Sequence, residues 1–234
     1  MTVDFSTASV EELADFYRVD NSTWVRSNMV VSLDGNYVDA DGPSEGLSSS
    51  TDLRILLLLR ALSDVVLVGG STIRREGYEP KPVRAELQAI KPSRTPLAIV
   101  TNTLEFDFNS ALFQSSSDNH VILTTKQAAE NFPDRLSEAK KVSEVCVSEE
   151  ITGAWLIAQL HTLGYGHILS EGGPQIQQLL LRDKSLDELD VTVAPVIRGQ
   201  LSDNPAFGHN NVSLTLLALA RGDNHSFARY LVTK

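Results

Sequence analysis

Three short stretches combine glycine with residues that can hold a charge or move a proton. The first is Ser170-Glu171-Gly172-Gly173-Pro174-Gln175. Paired glycines let a backbone come close to a ligand, and Pro174 suits the first turn of a helix whose free amides favour an anion. A cofactor pyrophosphate fits that description, and so does a plain strand-to-helix turn. Glu171 tips the reading towards a site, because an acid in such a turn gains little as a structural residue. The second stretch is Gly69-Gly70-Ser71-Thr72, followed by Arg74, Arg75, Glu76 and Tyr78. Thr72 and its neighbouring amides suit a phosphate or a ribose. The third is Ser32-Leu33-Asp34-Gly35, where Asp34 is either a turn residue or a carboxylate aimed at a substrate proton. Arg60, flanked by Leu59 and Leu62, either snorkels or clamps an anion with its planar fork. The segment Asp41-Gly42-Pro43-Ser44-Glu45-Gly46 is long enough to close over a ligand.

Other chemistries find no support. His120, His161, His167, His209 and His225 show no metal-ligand spacing. The nucleophile elbow, the P-loop and the G-x-G-x-x-G fingerprint are all absent, so any dinucleotide is held by a different turn. Cys146, in Val145-Cys146-Val147, reads as a small core residue of a short buried strand. The run Ser48 to Thr51 reads as helix capping, and Asp187-Glu188 as a solvated turn or part of an oligomer surface.

The elements that must position these residues follow from hydrophobic period. The chain has 234 residues, 42% of them apolar, which is enough for one well-buried domain. Its net charge of −10 argues against non-specific nucleic-acid binding, which needs a basic surface. The N-terminus lacks the basic and apolar segments of a signal peptide, and the longest apolar block, Ile55 to Leu59, is too short to span a bilayer. A cytoplasmic protein without a membrane partner is expected. Ser6 to Tyr17 predicts an amphipathic helix capped by Ser9, packing on the body or on a partner chain. Strands are predicted at Val25–Leu33, Val65–Val68, Leu97–Val100, Val121–Thr124, around Val145, and at His167–Leu169. Helices are predicted at Thr51–Ser63, around Ala128, at Thr152–Leu163 and at Gln175–Arg182, with Leu53, Leu56, Leu57, Arg60 and Ala61 at helical spacing in the first. Alternation of this kind, with all-apolar strands, means a largely parallel sheet covered on both faces. Leu189–Ala194, Leu214–Ala220 and Phe227–Thr233 then read as strands, the last two joined by the turn Arg221-Gly222-Asp223-Asn224 into an antiparallel hairpin.

These residues carry a family resemblance. Asn28-Met29-Val30-Val31-Ser32-Leu33-Asp34-Gly35 resembles the opening N-x-x-x-S-L-D-G strand of the riboflavin-biosynthesis reductase family. Leu59 to Tyr78 is similar to its L-R-A-x-x-D-x-x-x-V-G-x-x-T-x-R-x-E-x-Y segment. Glu171-Gly172-Gly173-Pro174, then Asp187-Glu188-Leu189 and Pro195 to Gly199, resemble its E-G-G-P, D-E-L and P-x-x-x-G elements, all in family order. The resemblance implies a dihydrofolate-reductase-like three-layer α/β domain over 24–234, with 1–23 as a helical extension, a mixed and mostly parallel sheet and an antiparallel C-terminal edge hairpin. It implies a homodimer that reduces 5-amino-6-(5-phosphoribosylamino)uracil to the ribitylamino product with NADPH. Asp34 and Glu171 become the acidic site residues, Asp34 first. Val30, Gly46, Gly69, Gly70, Ser71, Thr72, Glu76, Gly172, Gly173, Pro174 and Gln175 fall on the cofactor side. Asn28, Ser44 and Arg60 fall on the substrate side, Arg60 toward the phosphate. The bifunctional relatives also carry a zinc deaminase domain; H-x-E and P-C-x-x-C are missing from this sequence, so deaminase activity is not expected. Where the family often has Ser-Arg for a 2′-phosphate, this chain has Thr101-Asn102, leaving Lys126 or Arg75 as substitutes. Two other readings stay open: a dihydropterin reductase on the same fold, and a non-catalytic dimeric cofactor-binding protein.

Overall fold

The computed structural model describes residues 3–37, 46–76, 78, 81–115, 119–199 and 211–233. In chain order the strands are β1 (Val3–Asp4), β2 (Trp24–Ser32), β3 (Val65–Gly69), β4 (Leu97–Val100), β5 (Val121–Thr125), β6 (Glu144–Ser148), β7 (His167–Gly172), β8 (Glu188–Ala194), β9 (Leu214–Gly222) and β10 (His225–Val232). The helices are α1 (Val10–Tyr17), α2 (Ser50–Ala61), α3 (Gly70–Glu76), α4 (Ala111–Gln114), α5 (Lys126–Asn131), α6 (Pro133–Val142), α7 (Gly153–Thr162) and α8 (Pro174–Arg182). The strands form one sheet in the order β1-β9-β10-β8-β2-β7-β3-β4-β5-β6. From β8 through β6 all pairs are parallel, while β10 is antiparallel to both β8 and β9. The mixed sheet with its C-terminal hairpin is as expected. The hairpin sits one strand in, because β1 adds to β9 in parallel.

The period of two explains the three layers. Within β3, Val66 and Val68 join a core on one face, with Ile55, Leu58 and Leu59 of α2 and with Leu13 and Tyr17 of α1. Val65 and Leu67 join a second core on the other face, with Leu156 and Leu160 of α7 and Ile176 and Leu180 of α8. A strand buried on both sides must be apolar at every position, and β3 is. Capping sets the helix starts. Ser9 and Glu12 form a reciprocal capping box on α1, and Ser49 and Thr152 cap α2 and α7.

Helix α1 packs on the body. Phe5 is fully buried against Phe16 and Phe227, with ring centroids 4.8 and 5.2 Å away. Beneath α1 lies a buried ionic cluster, where a solvated turn or an oligomer surface at Asp187-Glu188 is expected from the sequence. Glu188 is wholly buried, not solvated, and accepts bonds from Trp24 Nε1 at 2.7 Å, Arg229 Nε at 2.5 Å and Arg26 at 3.0 Å. Asp190 lies 3.1 Å from Arg26 Nε. The two arginines also donate to the carbonyls of Tyr17 and Phe16, which ties α1 to the sheet. Neighbouring cations are what allow carboxylates to lie inside. Cys146 is half-buried, because β6 is the terminal strand.

Candidate active site

Two of the three glycine stretches meet. The turn after β3 and the turn after β7 lie side by side at the carboxyl edge of the sheet, where parallel strands leave a crevice. A Cβ built on Gly173 would stand 3.7 Å from Thr72 Oγ1. Gly172 and Gly173 have φ of +85° and +75°, which side-chain-bearing residues rarely adopt. Gly70 is a glycine for a different reason: a Cβ there would come within 2.9 Å of the Phe106 ring and 3.1 Å of Thr101 Cβ. Helix α8 starts at Pro174 with Gly173 as its cap, and among the described residues no side chain caps its first turn.

Around these turns lie two adjoining cavities. The larger, about 570 Å³, runs from Gly69, Gly70, Ser71 and Thr72 past Gly173, Pro174 and Gln175 to Thr101, Asn102, Thr125, Glu149 and Glu150. The smaller, about 170 Å³, is lined by Asn28, Val30, Asp52, Arg60, Glu171 and Gly172, among others. Tyr37, Thr72, Arg75, Gly173 and Pro174 line both and form the junction.

Glu171 reaches the smaller cavity because of a β-bulge. Leu67 pairs with Ser170 and Val68 with Gly172, so Glu171 is the extra residue and its side chain is re-aimed. Its carboxylate is largely buried and takes Arg60 on both oxygens, from Nε at 2.5 Å and from an Nη at 2.6 Å. The Tyr78 hydroxyl donates to the same carboxylate at 2.6 Å and lies 2.6 Å from that Arg60 Nη. A bidentate, charge-assisted pair of this kind fixes both side chains. Arg60 therefore holds Glu171 at the edge of this cavity.

Asp34 stands apart. It is exposed, and its carboxylate accepts the Ser32 hydroxyl at 2.5 Å and the amides of Arg198 and Gly199 at 3.1 and 2.8 Å. The Ser32 hydroxyl and then those two amides hold its carboxyl well below the usual carboxylate range. Among the described residues it lines neither cavity. The cause is strand length. β2 leaves β7 after Ser27 but runs beside β8 to Ser32, which carries its end roughly 16 Å further along the sheet at about 3.3 Å per residue. Asp34 pins the 196–199 loop through the amides of Arg198 and Gly199, and beside it Leu33 N donates to Val196 O at 2.8 Å. So β2 contributes Asn28, Met29 and Val30 to the cleft from its middle, not Asp34 from its end.

Gly46 is exposed and lines neither cavity. Ser44 and the Glu76 side chain lie outside the described residues, as does most of the 41–46 loop. The structure adds Asp52, Tyr37 and Tyr78 to the cleft. Asp52 is buried and accepts from the Ser48 hydroxyl at 2.6 Å. A signal for it existed: Asp52, Leu56 and Arg60 recur at i, i+4 and i+8 and share one face of α2.

Beside this cleft, sharing Arg60 and Tyr78 with it, is a further cavity of about 410 Å³. Leu53, Leu57, Ala61 and Leu97 give it an apolar floor, and Lys81, Arg84, Lys91 and Arg94 give it a basic rim with no carboxylate among the described lining residues. In a chain of net charge −10 this is a marked local concentration of cations. Lys91 is half-buried and its pKa is lowered by desolvation.

Comparisons of sequence and of fold point to one family. The model of the RibD C-terminal domain family matches residues 23–225. A 2,5-diamino-6-ribosylamino-4(3H)-pyrimidinone 5′-phosphate reductase of Methanothermobacter thermautotrophicus is 28% identical over 178 residues, which cover 75% of this chain and 79% of that protein. The crystal structure of a pyrimidine reductase-like protein from Corynebacterium diphtheriae matches with a TM-score of 0.84 at 25% identity, covering 97% of this chain and 100% of that one. A dihydrofolate reductase from Enterococcus faecalis, solved with NADP(H), shares the fold at a TM-score of 0.51 and 11% identity, over 91% of this chain and 98% of that one. The family model spans most of the chain and the fold agrees with it, so the chain belongs to the RibD C-terminal domain family.

Proposed function

We propose that this chain is a nicotinamide-dependent reductase of riboflavin biosynthesis. Its substrate is a 5′-phosphorylated ribosylaminopyrimidine, 5-amino-6-(5-phosphoribosylamino)uracil, and its product is the ribitylamino compound. The observation that carries this reading is the junction: one cavity suited to a dinucleotide and one suited to a flat ring share Tyr37, Thr72, Arg75, Gly173 and Pro174. The dinucleotide body suits the larger cavity. Its pyrophosphate suits the uncapped start of α8, against two glycines that allow close approach. When bound, the dinucleotide would supply the hydride for reducing the open-chain imine of the ribosylamine, with the proton for its nitrogen drawn from solvent.

The protein's own part is to orient and to exclude. Asn28 and Asp52 present polar atoms to the pyrimidine edge. Glu171 fixes Arg60 and Tyr78 at the wall between the cleft and the basic cavity. The substrate phosphate is assigned to that cavity, where Arg84 and Lys81 join Arg60. Asp34 is assigned to loop anchoring. A second reading shifts only the ring: the Methanothermobacter relative is named for a 2,5-diamino pyrimidinone substrate, and this differs by an amino group where the uracil has an oxo group. Turnover followed by nicotinamide absorbance, with both pyrimidines and with dihydrofolate, tests the proposal. Oxidation with a phosphorylated pyrimidine supports it. Oxidation with dihydrofolate alone, or equal turnover of the dephosphorylated pyrimidine, overturns it.

A second copy of the chain is the proposed partner. Leu214, Leu216, Leu217 and Leu219 of β9 are all exposed, an apolar row that a monomer rarely leaves in water. Sedimentation of the double variant Leu217→Glu/Leu219→Glu is expected to show a monomer where the parent protein shows a dimer. No helix among the described residues is long and apolar enough to cross a membrane, and the cytoplasm is the proposed compartment.

A further inference from the structure

The part of the larger cavity farthest from the junction lacks what a 2′-phosphate needs. Its lining there is Thr101, Asn102, Thr125, Glu149, Glu150 and Ile151. Two of these residues are carboxylates and none is a cation. Arg75 lies at the junction instead, since it also lines the smaller cavity with Asn28 and Glu171. Lys126, the remaining cation near this end, is not among the lining residues. Its Nζ bonds Glu149 Oε1 at 2.8 Å. A phosphate carrying close to two negative charges would meet two glutamates and a lysine already held by one of them. A ribose 2′-hydroxyl meets acceptors it can donate to, the usual chemistry by which an acidic residue favours the unphosphorylated dinucleotide.

We infer that this chain does not select for the 2′-phosphate and binds NADH at least as tightly as NADPH, with Asn102, Glu149 and Glu150 setting that preference. This rests on the reductase reading and departs from the NADPH use that the family resemblance implied. The test is calorimetric titration of the full chain with NADH and NADPH, repeated with 5′-ADP and 2′,5′-ADP as fragments that cannot react. The expected result is a dissociation constant for NADH equal to or below that for NADPH, and no gain from the 2′-phosphate in the fragment pair. The Asn102→Arg variant, which supplies a planar bidentate donor, is expected to shift the ratio towards NADPH by about tenfold or more. NADPH binding tenfold or more tightly than NADH to the unaltered chain would overturn the inference, as would an Asn102→Arg ratio identical to the parent. Binding of neither dinucleotide would overturn the reductase reading itself, and this inference with it.

Discussion

Glu171 and Asp34 are both acids beside glycines at strand ends, and their surroundings give them opposite roles. Glu171 is largely buried, with three donor contacts from Arg60 and Tyr78 at 2.5 to 2.6 Å. Asp34 is exposed and spends its carboxylate on the backbone of Arg198 and Gly199. The two are separated by one measurement. Glu171→Gln replaces one acceptor oxygen with a donor facing Arg60, and kcat/KM is expected to fall by about a hundredfold, in line with loss of a charge-assisted bidentate pair of roughly 3 kcal/mol. Asp34→Asn is an exposed change with an expected effect within about threefold, the range of ordinary surface substitutions. A hundredfold loss in Asp34→Asn with folding intact would return Asp34 to the chemistry. The sequence named both acids and ranked Asp34 first, because spacing does not report which direction a strand end faces.

At the scale of elements, the glycines of the cofactor wall fall into three kinds. Gly69 has φ in the ordinary range and no atom nearer than 3.7 Å to a built Cβ. Gly70 is packed against Phe106 and Thr101, and Gly173 sits at φ +75° and ψ 144°. Gly69→Ala is therefore expected to be tolerated. Gly173→Ala is expected to lose about 1–3 kcal/mol to backbone strain and to weaken dinucleotide binding, read by thermal denaturation and by titration on the same sample. The glycine turns were visible in the sequence because glycine is chosen for local geometry. The bulge was not visible, because it is a property of the register between β3 and β7, two strands about a hundred residues apart.

Across the whole molecule, the Arg26–Glu188–Asp190–Arg229 cluster links the N-terminal helix to the sheet. Burial alone would raise the Glu188 carboxyl, but the Arg229 hydrogen bond and the Arg26 charge outweigh it and hold the pKa at about 2. A depressed carboxylate stabilises the fold above its ordinary value of 4.5 and loses that contribution as pH falls towards 2. Stability to urea is thus expected to decline over that window, with a shallower slope in Glu188→Gln. At neutral pH Glu188→Ala is expected to cost about 3–5 kcal/mol, because it leaves buried arginines without their partner. Asp190 works in the other direction, since burial first of all raises its pKa. A flat stability profile below pH 4.5 in the parent chain would remove Glu188 from this account.

The sequence by itself determined the alternation of strands and helices, the parallel core, the C-terminal hairpin, and the two glycine turns that border the larger cavity. These are written in local terms: a period of two or 3.6, a capping serine, a glycine where φ must be positive. Only the tertiary structure decided that Asp187-Glu188 leads into the interior, that Arg60 grips Glu171, and that β2 carries Asp34 beyond the cleft. It also decided that Lys81, Arg84, Lys91 and Arg94 ring one cavity. Each of these depends on which distant segment lies opposite, and charge pairing or strand register between distant segments leaves no periodic trace in a single sequence.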